Sequence, residues 1–385
     1  MHPLLHIVLA IGAVLGSTMF ACAYLIWLER KLAAWVQDRI GPNRVGPFGL
    51  LQPLADGAKF LLKEDVVPSH VDKALYFLAP SISVFTTFIA FSAVPFGPSS
   101  GRPGEFQFVI APQLDIGILF VFAAGSLAVY GVILGGWASN NKYSMLGALR
   151  SSAQIISYEI PLGMSLIGVI LLTGSLNLEQ VISHQASSGL LGWHFWYQPL
   201  ACLIFFMSAL AESNRLPFDL PECEQELVGG YHTEYSAMKF AMFFLAEYTH
   251  VITVSFLVAI LFFGGWHFPW IAEAGSAYTG AAFVKVLVLL VKVFALILFI
   301  MLIRWTIPRY RYDQLMSLVW RGLIPLTLLN LVCVIFVKQF ELPDAWLLLA
   351  SVVLFGGATV VSAQAAKRRV SARVRRSASA AQAVG

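Results

Sequence analysis

The chain has 385 residues, of which 58% are hydrophobic and only 12% charged, with a formal net charge of +4 and a mean hydropathy of +0.76. A soluble domain carries about 25% charged residues, so composition excludes a soluble globular protein and predicts an all-α polytopic transmembrane helix bundle. The four cysteines, Cys22, Cys202, Cys223 and Cys333, form no close pair, and no GxxxxGK[ST] or GxGxxG pattern occurs. That argues against a metal, Fe–S or disulfide framework built from this chain alone and against a phosphate cradle.

Apolar runs predict spans near 4–28, 75–95, 115–136, 155–173, 199–212, 238–263, 282–303, 323–338 and 345–363, giving eight to nine spanning helices. The run 199–212 is short and extends upstream through Trp193–Tyr197; the ninth run is the least regular. Residues 1–363 read as one membrane domain, and 364–385 as a basic, disordered tail that lies on anionic headgroups. The first run reads as a retained span, because it ends in Glu29-Arg30-Lys31 and has no small-residue cleavage site.

Lys and Arg segregate by side. All 25 fall on one face of the predicted topology except Arg102, Lys338 and the intraspan Lys285 and Lys292. Basic loops stay in the cytoplasm, which predicts an external N-terminus, an internal C-terminus and an odd number of crossings.

The first basic loop, ERKLAAWVQDRIGPNRVGPFGLLQPLADGAKFLLKED, begins with turn chemistry at Gly41-Pro42-Asn43 and Gly46-Pro47. From about residue 50 to 63 it becomes helical in pattern. Leu51, Leu54, Ala55, Ala58, Leu61 and Leu62 share one face, while Gln52, Asp56, Lys59 and Lys63 face away. This is an interfacial amphipathic helix. It is either a surface anchor or the wall of a lipid-side entrance.

In the fourth and fifth runs and the loop between spans five and six lie the acids. Glu159 precedes Pro161, a predicted kink. Glu212, Asp219, Glu222, Glu224, Glu226 and Glu234 hold six of the chain's 21 carboxylates in AESNRLPFDLPECEQELVGGYHTEYSAMKF. Mutual repulsion among three glutamates at two-residue spacing raises at least one of them toward neutrality, which suits proton uptake. A solvated acidic loop is the plainer reading, but Pro217, Phe218, Leu220, Pro221 and Leu227 are too apolar for one. Arg215 is the expected counter-ion.

Glu247 lies roughly 13 Å into its helix at 1.5 Å per residue. Ionisable groups at such depth mark proton, ion or substrate paths unless they pair. A static pair with Lys292 is the structural alternative, and a relay the functional one. Glu247-Tyr248-Thr249-His250 is a single ExxH, where a di-iron site needs two copies and further glutamates. Gly12xxxGly16 and Gly131xxxGly135 predict close helix contacts. Arg304, Arg309 and Arg311 with Tyr310, Tyr312 and Asp313 form a basic-aromatic strip that fits headgroups, an acidic partner or an anionic intermediate.

These segments together resemble the H-subunit family of NADH-quinone oxidoreductase, the proton-pumping respiratory complex I. The resemblance rests on Glu29-Arg30-Lys31 with GPNRVGPFGLLQPLADGAKF, SSAQIISYEIPLG, AESNRLPFDLPECEQELVGGYHTEYSAMKF with FFLAEY, and RWTIPRYRYDQLM, and it extends to about residue 338. It implies a multi-pass subunit of a bacterial inner membrane that has no redox centre of its own. Ubiquinone or menaquinone would enter as substrate beside the first helix and the amphipathic helix. FMN and Fe–S clusters would reside on peripheral partner subunits. Arg30, Arg39, Asp56, Phe60 and Arg304 would border the quinone channel. Glu212, Asp219, Glu222, Glu224, Glu226 and Glu234 would form an acidic funnel, with Glu159, Glu247 and Lys292 continuing a proton relay toward antiporter-like membrane subunits. The other partner is the lipid bilayer, and no nucleic acid is expected. The alternatives are the equivalent subunit of a membrane-bound hydrogenase, where no quinone need bind, and a stand-alone proton-coupled transporter, which predicts internal repeats.

Overall fold

The computed structural model describes residues 3–98, 109–111, 114–219, 227–272 and 280–384. Helix α1 (Pro3–Val36) is followed by the short α2 (Gln52–Leu62), then α3 (Lys73–Ala90), α4 (Gly117–Ala138), α5 (Lys142–Thr173), the short α6 (Leu178–Ala186) and α7 (His194–Tyr197), and α8 (Pro199–Glu212). The second half holds α9 (Ala237–Phe262), α10 (Ala281–Thr306), α11 (Tyr312–Leu318), α12 (Ile324–Gln339) and α13 (Ala345–Val384). Eight helices, with α11 and α12 merged through a π-turn, are long and apolar enough to cross a membrane, and α8 is a shorter apolar ninth. The chain is a multi-pass membrane protein with an all-α bundle among the described residues.

Helix α9 is the axis of the bundle. Of its most apolar stretch 78% is buried, against 17% for α1 and 11% for α13. Neighbouring helices come close where glycine permits it. A Cβ on Gly131 of α4 would fall 2.0 Å from Ser83 Oγ of α3, and one on Gly135 would meet Phe243 of α9 at 3.3 Å. The second GxxxG pair thus makes the expected close contact. The first does not: nothing lies within 4 Å of a Cβ on Gly12 or Gly16. Small residues permit close approach but do not supply a partner.

Three further differences have physical causes. Helix α5 starts at Lys142, well before the predicted 155, capped by Asn141 Oδ1 accepting from Tyr143 N at 3.0 Å. Its first turns are polar because Ser144, Ser151 and Gln154 are buried against protein rather than lipid. Gln154 Nε2 donates to Ala211 O (2.9 Å) and Phe218 O (2.8 Å), tying down the loop after α8. Helix α5 runs without interruption through Pro161. The upstream extension of α8 exists as α7, but the two are broken at Gln198. Finally, the segment expected to be a disordered tail continues α13 as helix to Val384; its alanines favour the helical backbone over other conformations.

Helix α2 forms as predicted, with Leu54, Leu61 and Leu62 exposed by 68%, 71% and 87%. Its polar face turns toward α1, so the leucines look outward, as an interfacial helix requires. Lys239 Nζ at the start of α9 binds Asp65 Oδ2 at 2.6 Å, and Ser236 bonds the backbone of Val66. These contacts tether the end of the α2 segment to the central helix.

Candidate functional site

The helices alternate in direction, so the ends of α1, α8 and α10 meet the beginnings of α3, α5 and α9 at one end of the bundle. Most of the ionisable groups singled out above collect there, in two clusters on neighbouring faces of α9.

The first cluster is centred on Glu29, which is 7% exposed. Its carboxylate accepts from Tyr248 Oη at 2.5 Å, pairs with Arg215 Nη1 at 3.6 Å, and pairs with Arg304 Nη1. Arg215 also stacks over the Tyr248 ring at 4.1 Å. A small cavity of about 20 Å³ lies against Leu25, Glu29, Arg215, Tyr248 and Arg304. Sequence does not single out Glu29 or Tyr248 as site residues. In ERK a glutamate reads as an ordinary helix-end charge, and a tyrosine near a span end reads as an interfacial aromatic.

The second cluster surrounds a mostly apolar cavity of about 60 Å³, walled in part by Val129, Val132, Ile155 and Phe243, into which Ser83 and Thr87 of α3, Glu212, Tyr231, Glu247 and His250 bring polar groups beside Gly125 of α4. One water needs about 10–15 Å³, so the cavity has room for several. Tyr231 Oη donates to Glu247 Oε1 at 3.1 Å. His250 Nε2 lies 3.6 Å from Glu212 Oε1. Ser126 Oγ donates to Glu159 Oε1. Glu159, Glu212 and Glu247 are therefore brought into one region, although they are far apart in sequence.

Asp219 stands at the mouth of these clusters, bonded to Arg309 Nη2 at 3.1 Å. Burial pushes its carboxyl up to about 6, Arg309 and Arg215 pull it down, and the nearby charge of Glu247 pushes it further up. Arg215 thus acts on Asp219 as well as on Glu29. Glu234 Oε1 accepts from Asn141 Nδ2 at 2.6 Å, at the periphery. Glu222, Glu224 and Glu226 lie outside the described residues.

The expected channel residues divide. Arg30 Nη1 donates to Asp56 Oδ2 at 2.8 Å, linking α1 to α2, and Gln52 and Lys59 attend the same carboxylate. Phe60 packs near Phe240 of α9, with ring centroids 6.4 Å apart. Arg304 belongs to the Glu29 cluster. Arg39 is exposed and bonds only its neighbour Gln37 at 2.8 Å among the described contacts.

Lys292 is not brought to the acids. Its ammonium donates to the carbonyls of Phe263 (2.7 Å), Gly265 (2.8 Å) and His267 (2.7 Å) and lies 4.5 Å from the Trp193 ring. These carbonyls follow the far end of α9, roughly 24 Å along the helix from Glu247 at 1.5 Å per residue. The static Glu247–Lys292 pair, an alternative on sequence grounds, is therefore not formed. A cation at a helix C-terminus satisfies carbonyls that have no intrahelical partner, and that is the work of Lys292. Among the described residues no group of three or more His, Cys, Asp or Glu side chains is placed to hold a metal.

An apolar groove of about 710 Å³ runs between α1, α9 and α10. It is lined along α1 from Ala10 to Leu28, and by Phe256, Leu290 and Ile297 on the other helices. Leu25 lines both this groove and the small cavity at Glu29. The groove and the charged cluster thus lie against the same stretch of α1, with Leu25 in the wall of both.

A multi-pass bundle with buried acids at one end and an apolar groove beside them fits the class of membrane subunits of energy-transducing complexes. Residues 9–335 match the model of the family described as NADH dehydrogenase. In Cytophaga hutchinsonii an H subunit of NADH-quinone oxidoreductase, the copy numbered 1, is 44% identical over 329 residues, covering 86% of this chain and 95% of the relative. The H subunit of the Protochlamydia amoebophila enzyme is 48% identical over 312 residues, covering 81% and 91%. Subunit 8 of the Rhodothermus marinus enzyme is 43% identical over 339 residues, covering 86% and 97%. The chain belongs to the NADH dehydrogenase family, among the H subunits of NADH-quinone oxidoreductase. It is one component of that enzyme complex, with other subunits of the complex as partners. Helix α13 lies beyond the part that the family model matches.

Proposed function

We propose that this subunit admits a membrane quinone along the groove beside α1 and couples its reduction to proton movement through the acids of α5, α8 and α9. The observation that supports the reading is that the 710 Å³ apolar groove and the Glu29 cavity adjoin on α1, sharing Leu25 in their walls. From Ala10 to Leu28 the groove follows roughly 27 Å of helix, enough for an isoprenoid tail to leave water and lipid for an apolar wall. The headgroup would be reduced at the α2 end by electrons from Fe–S clusters on peripheral subunits, which also carry the FMN. Arg30, Asp56, Phe60 and Arg304 stand on that approach.

Reduction adds two electrons and demands two protons, so negative charge develops next to Glu29, Arg215 and Arg304. A charge change there alters the proton affinity of carboxylates nearby in low dielectric. Arg215 transmits it, because it faces Glu29 and also Asp219. Asp219, Glu247, Glu212 and Glu159 then form the inward series, with the loop acids Glu222, Glu224 and Glu226 and the peripheral Glu234 feeding it. Lys292 holds the far end of α9 in register. The basic end of the bundle faces the bacterial cytoplasm, by the asymmetry of Lys and Arg.

The test is to fill the groove without touching the charges. In the assembled complex, Ala21→Trp is expected to raise the KM for a long-tailed quinone about tenfold, the scale of one or two misplaced methylenes in an apolar site. NADH oxidation by a small hydrophilic acceptor at the peripheral arm should be unchanged. Equal loss of both activities would sink the reading.

A further inference from the structure

The ExxH segment Glu247–His250 is left without a metal, and its histidine is not used by the quinone reading. His250 is half-buried on α9, with a side chain 16% exposed. It lines the cavity of about 60 Å³ that holds Glu247 and Glu212, and also a second, inner cavity of about 20 Å³. Apart from Glu212 and His250, the inner cavity is lined by hydroxyls of Thr87 and Thr253 and by apolar side chains such as Phe205 and Leu257. At about 10–15 Å³ per water, it has room for one. Glu212 and His250 are the two titratable residues common to both cavities.

The geometry leaves the ring free to exchange protons. Its Nε2 lies 3.6 Å from Glu212 Oε1, beyond a normal hydrogen bond, and has no hydrogen-bond partner among the described residues. A histidine serving only as packing would be expected to satisfy both nitrogens. Helix α4 makes the approach possible. A Cβ on Gly125 would lie 3.2 Å from Glu212 Oε1, so glycine leaves the carboxylate its room. The next residue, Ser126, donates to Glu159. The titratable groups facing His250 are Glu212 from α8, Glu247 from its own helix and Tyr231 from the preceding loop, with Glu159 on α5 near Glu212. Helices α3 and α4 line the two cavities with hydroxyls, glycine and apolar side chains, and with no titratable group.

We propose that His250 is a proton-carrying residue at the junction of the two cavities, accepting from Glu212 and releasing to water in the inner cavity. The proton leaves Glu212 Oε1 for His250 Nε2, breaking an O–H bond and forming an N–H bond, and leaves a carboxylate–imidazolium pair. Loss of that proton to water restores the neutral ring. No electron moves. The sequence spacing that resembles a metal motif thus places two proton carriers, Glu247 and His250, one turn apart on one helix face.

This inference rests on the proton-coupling reading above, and the experiment separates the two. The assembled complex is studied in sealed vesicles, with NADH-driven quinone reduction and proton uptake measured as a function of pH. His250→Gln is expected to slow coupled turnover at least about tenfold, at the low end of acid–base contributions. It should also change the shape of the pH profile, which loss of a packing residue would not do. His250→Ala should be slow and regain rate when free imidazole is added. Glu212→Gln is the reference variant. If it leaves proton uptake intact, the relay reading itself fails. If Glu212→Gln stops proton uptake while His250→Gln keeps the wild-type rate and pH profile, only the role of His250 is overturned. Slow His250 variants with the wild-type pH profile and no imidazole rescue mark a packing residue, and overturn it equally.

Discussion

Tyr248 and its neighbours Glu247 and His250 occupy adjacent positions on α9 and meet opposite electrostatic surroundings. Tyr248 points into the Glu29 cluster, where one carboxylate meets two guanidiniums and a phenol around only about 20 Å³ of space. Glu247 and His250 point into a cavity of about 60 Å³ where carboxylates outnumber cations and hydroxyls supply the hydrogen bonds. The first cluster is over-compensated and tight, so its charges are held. The second is under-compensated and roomier, and it is there that the proposed relay would run. Successive residues on a helix differ by about 100°, and that rotation separates the tight ion cluster from the proposed relay.

Breaking the first cluster should therefore cost assembly. Glu29→Gln leaves Arg215 and Arg304 facing each other without their shared anion, and removing one partner of a buried ion pair costs about 3–5 kcal/mol. The expected outcome is loss of most assembled complex, read by native electrophoresis of solubilised membranes. A fully assembled Glu29→Gln complex that lacks only proton uptake would move Glu29 into the relay and erase the contrast.

Lys292 sharpens the comparison from the far end of the same helix. Lys292→Met removes three hydrogen bonds from the carbonyls of Phe263, Gly265 and His267 and should destabilise by about 2–3 kcal/mol, since solvent and relaxation recover part of the loss. Tm of the complex should fall, while protons taken up per quinone reduced stay at the wild-type value. A lowered proton ratio at unchanged Tm would return Lys292 to the proton path.

The smallest effect is expected where the two clusters meet. Burial raises Asp219 from its ordinary 3.8 to about 6, so the folded chain favours its protonated form. That contribution to stability is fully present below about pH 4 and is lost as pH rises through about 6. Arg309 limits the loss by pulling Asp219 down. Arg309→Met should therefore raise the pH at which Asp219 ionises and open a deficit that grows above about pH 6. It should reach about 1 kcal/mol at most, since Arg309 is one-third exposed and screened. Thermal unfolding at about pH 5, 6 and 7.5 spans that window and measures it. Adding Asp219→Asn should close the gap, and a deficit independent of pH would show that Arg309 acts by packing alone.

The class of molecule is legible in the chain before any folding. Hydropathy at the length of a bilayer crossing, the period of α2 and the clustering of acids are local properties, written in consecutive residues and independent of partners. They suffice for the number of helices, the interfacial helix, the family resemblance and most of the acids that face the cavity. Local pattern misleads where burial replaces lipid. The beginning of α5 reads as loop because its serines and Gln154 are polar, yet protein surrounds them. Gly12 and Gly16 read as a contact although no helix lies opposite.

Which charge meets which is set by long-range packing. Glu29 and Tyr248 are 219 residues apart, and Lys292 finds carbonyls at the far end of α9 rather than Glu247. Pairing depends on angles around helices and on which ends are brought together, and neither is encoded in any local pattern. His250 shows the limit most plainly. As a string, ExxH is compatible with a metal ligand or a buried core residue. The position of Glu212 on another helix, and the space that Gly125 leaves beside it, turn the same residue into a candidate proton carrier, because proton transfer requires an acceptor within reach and room for water.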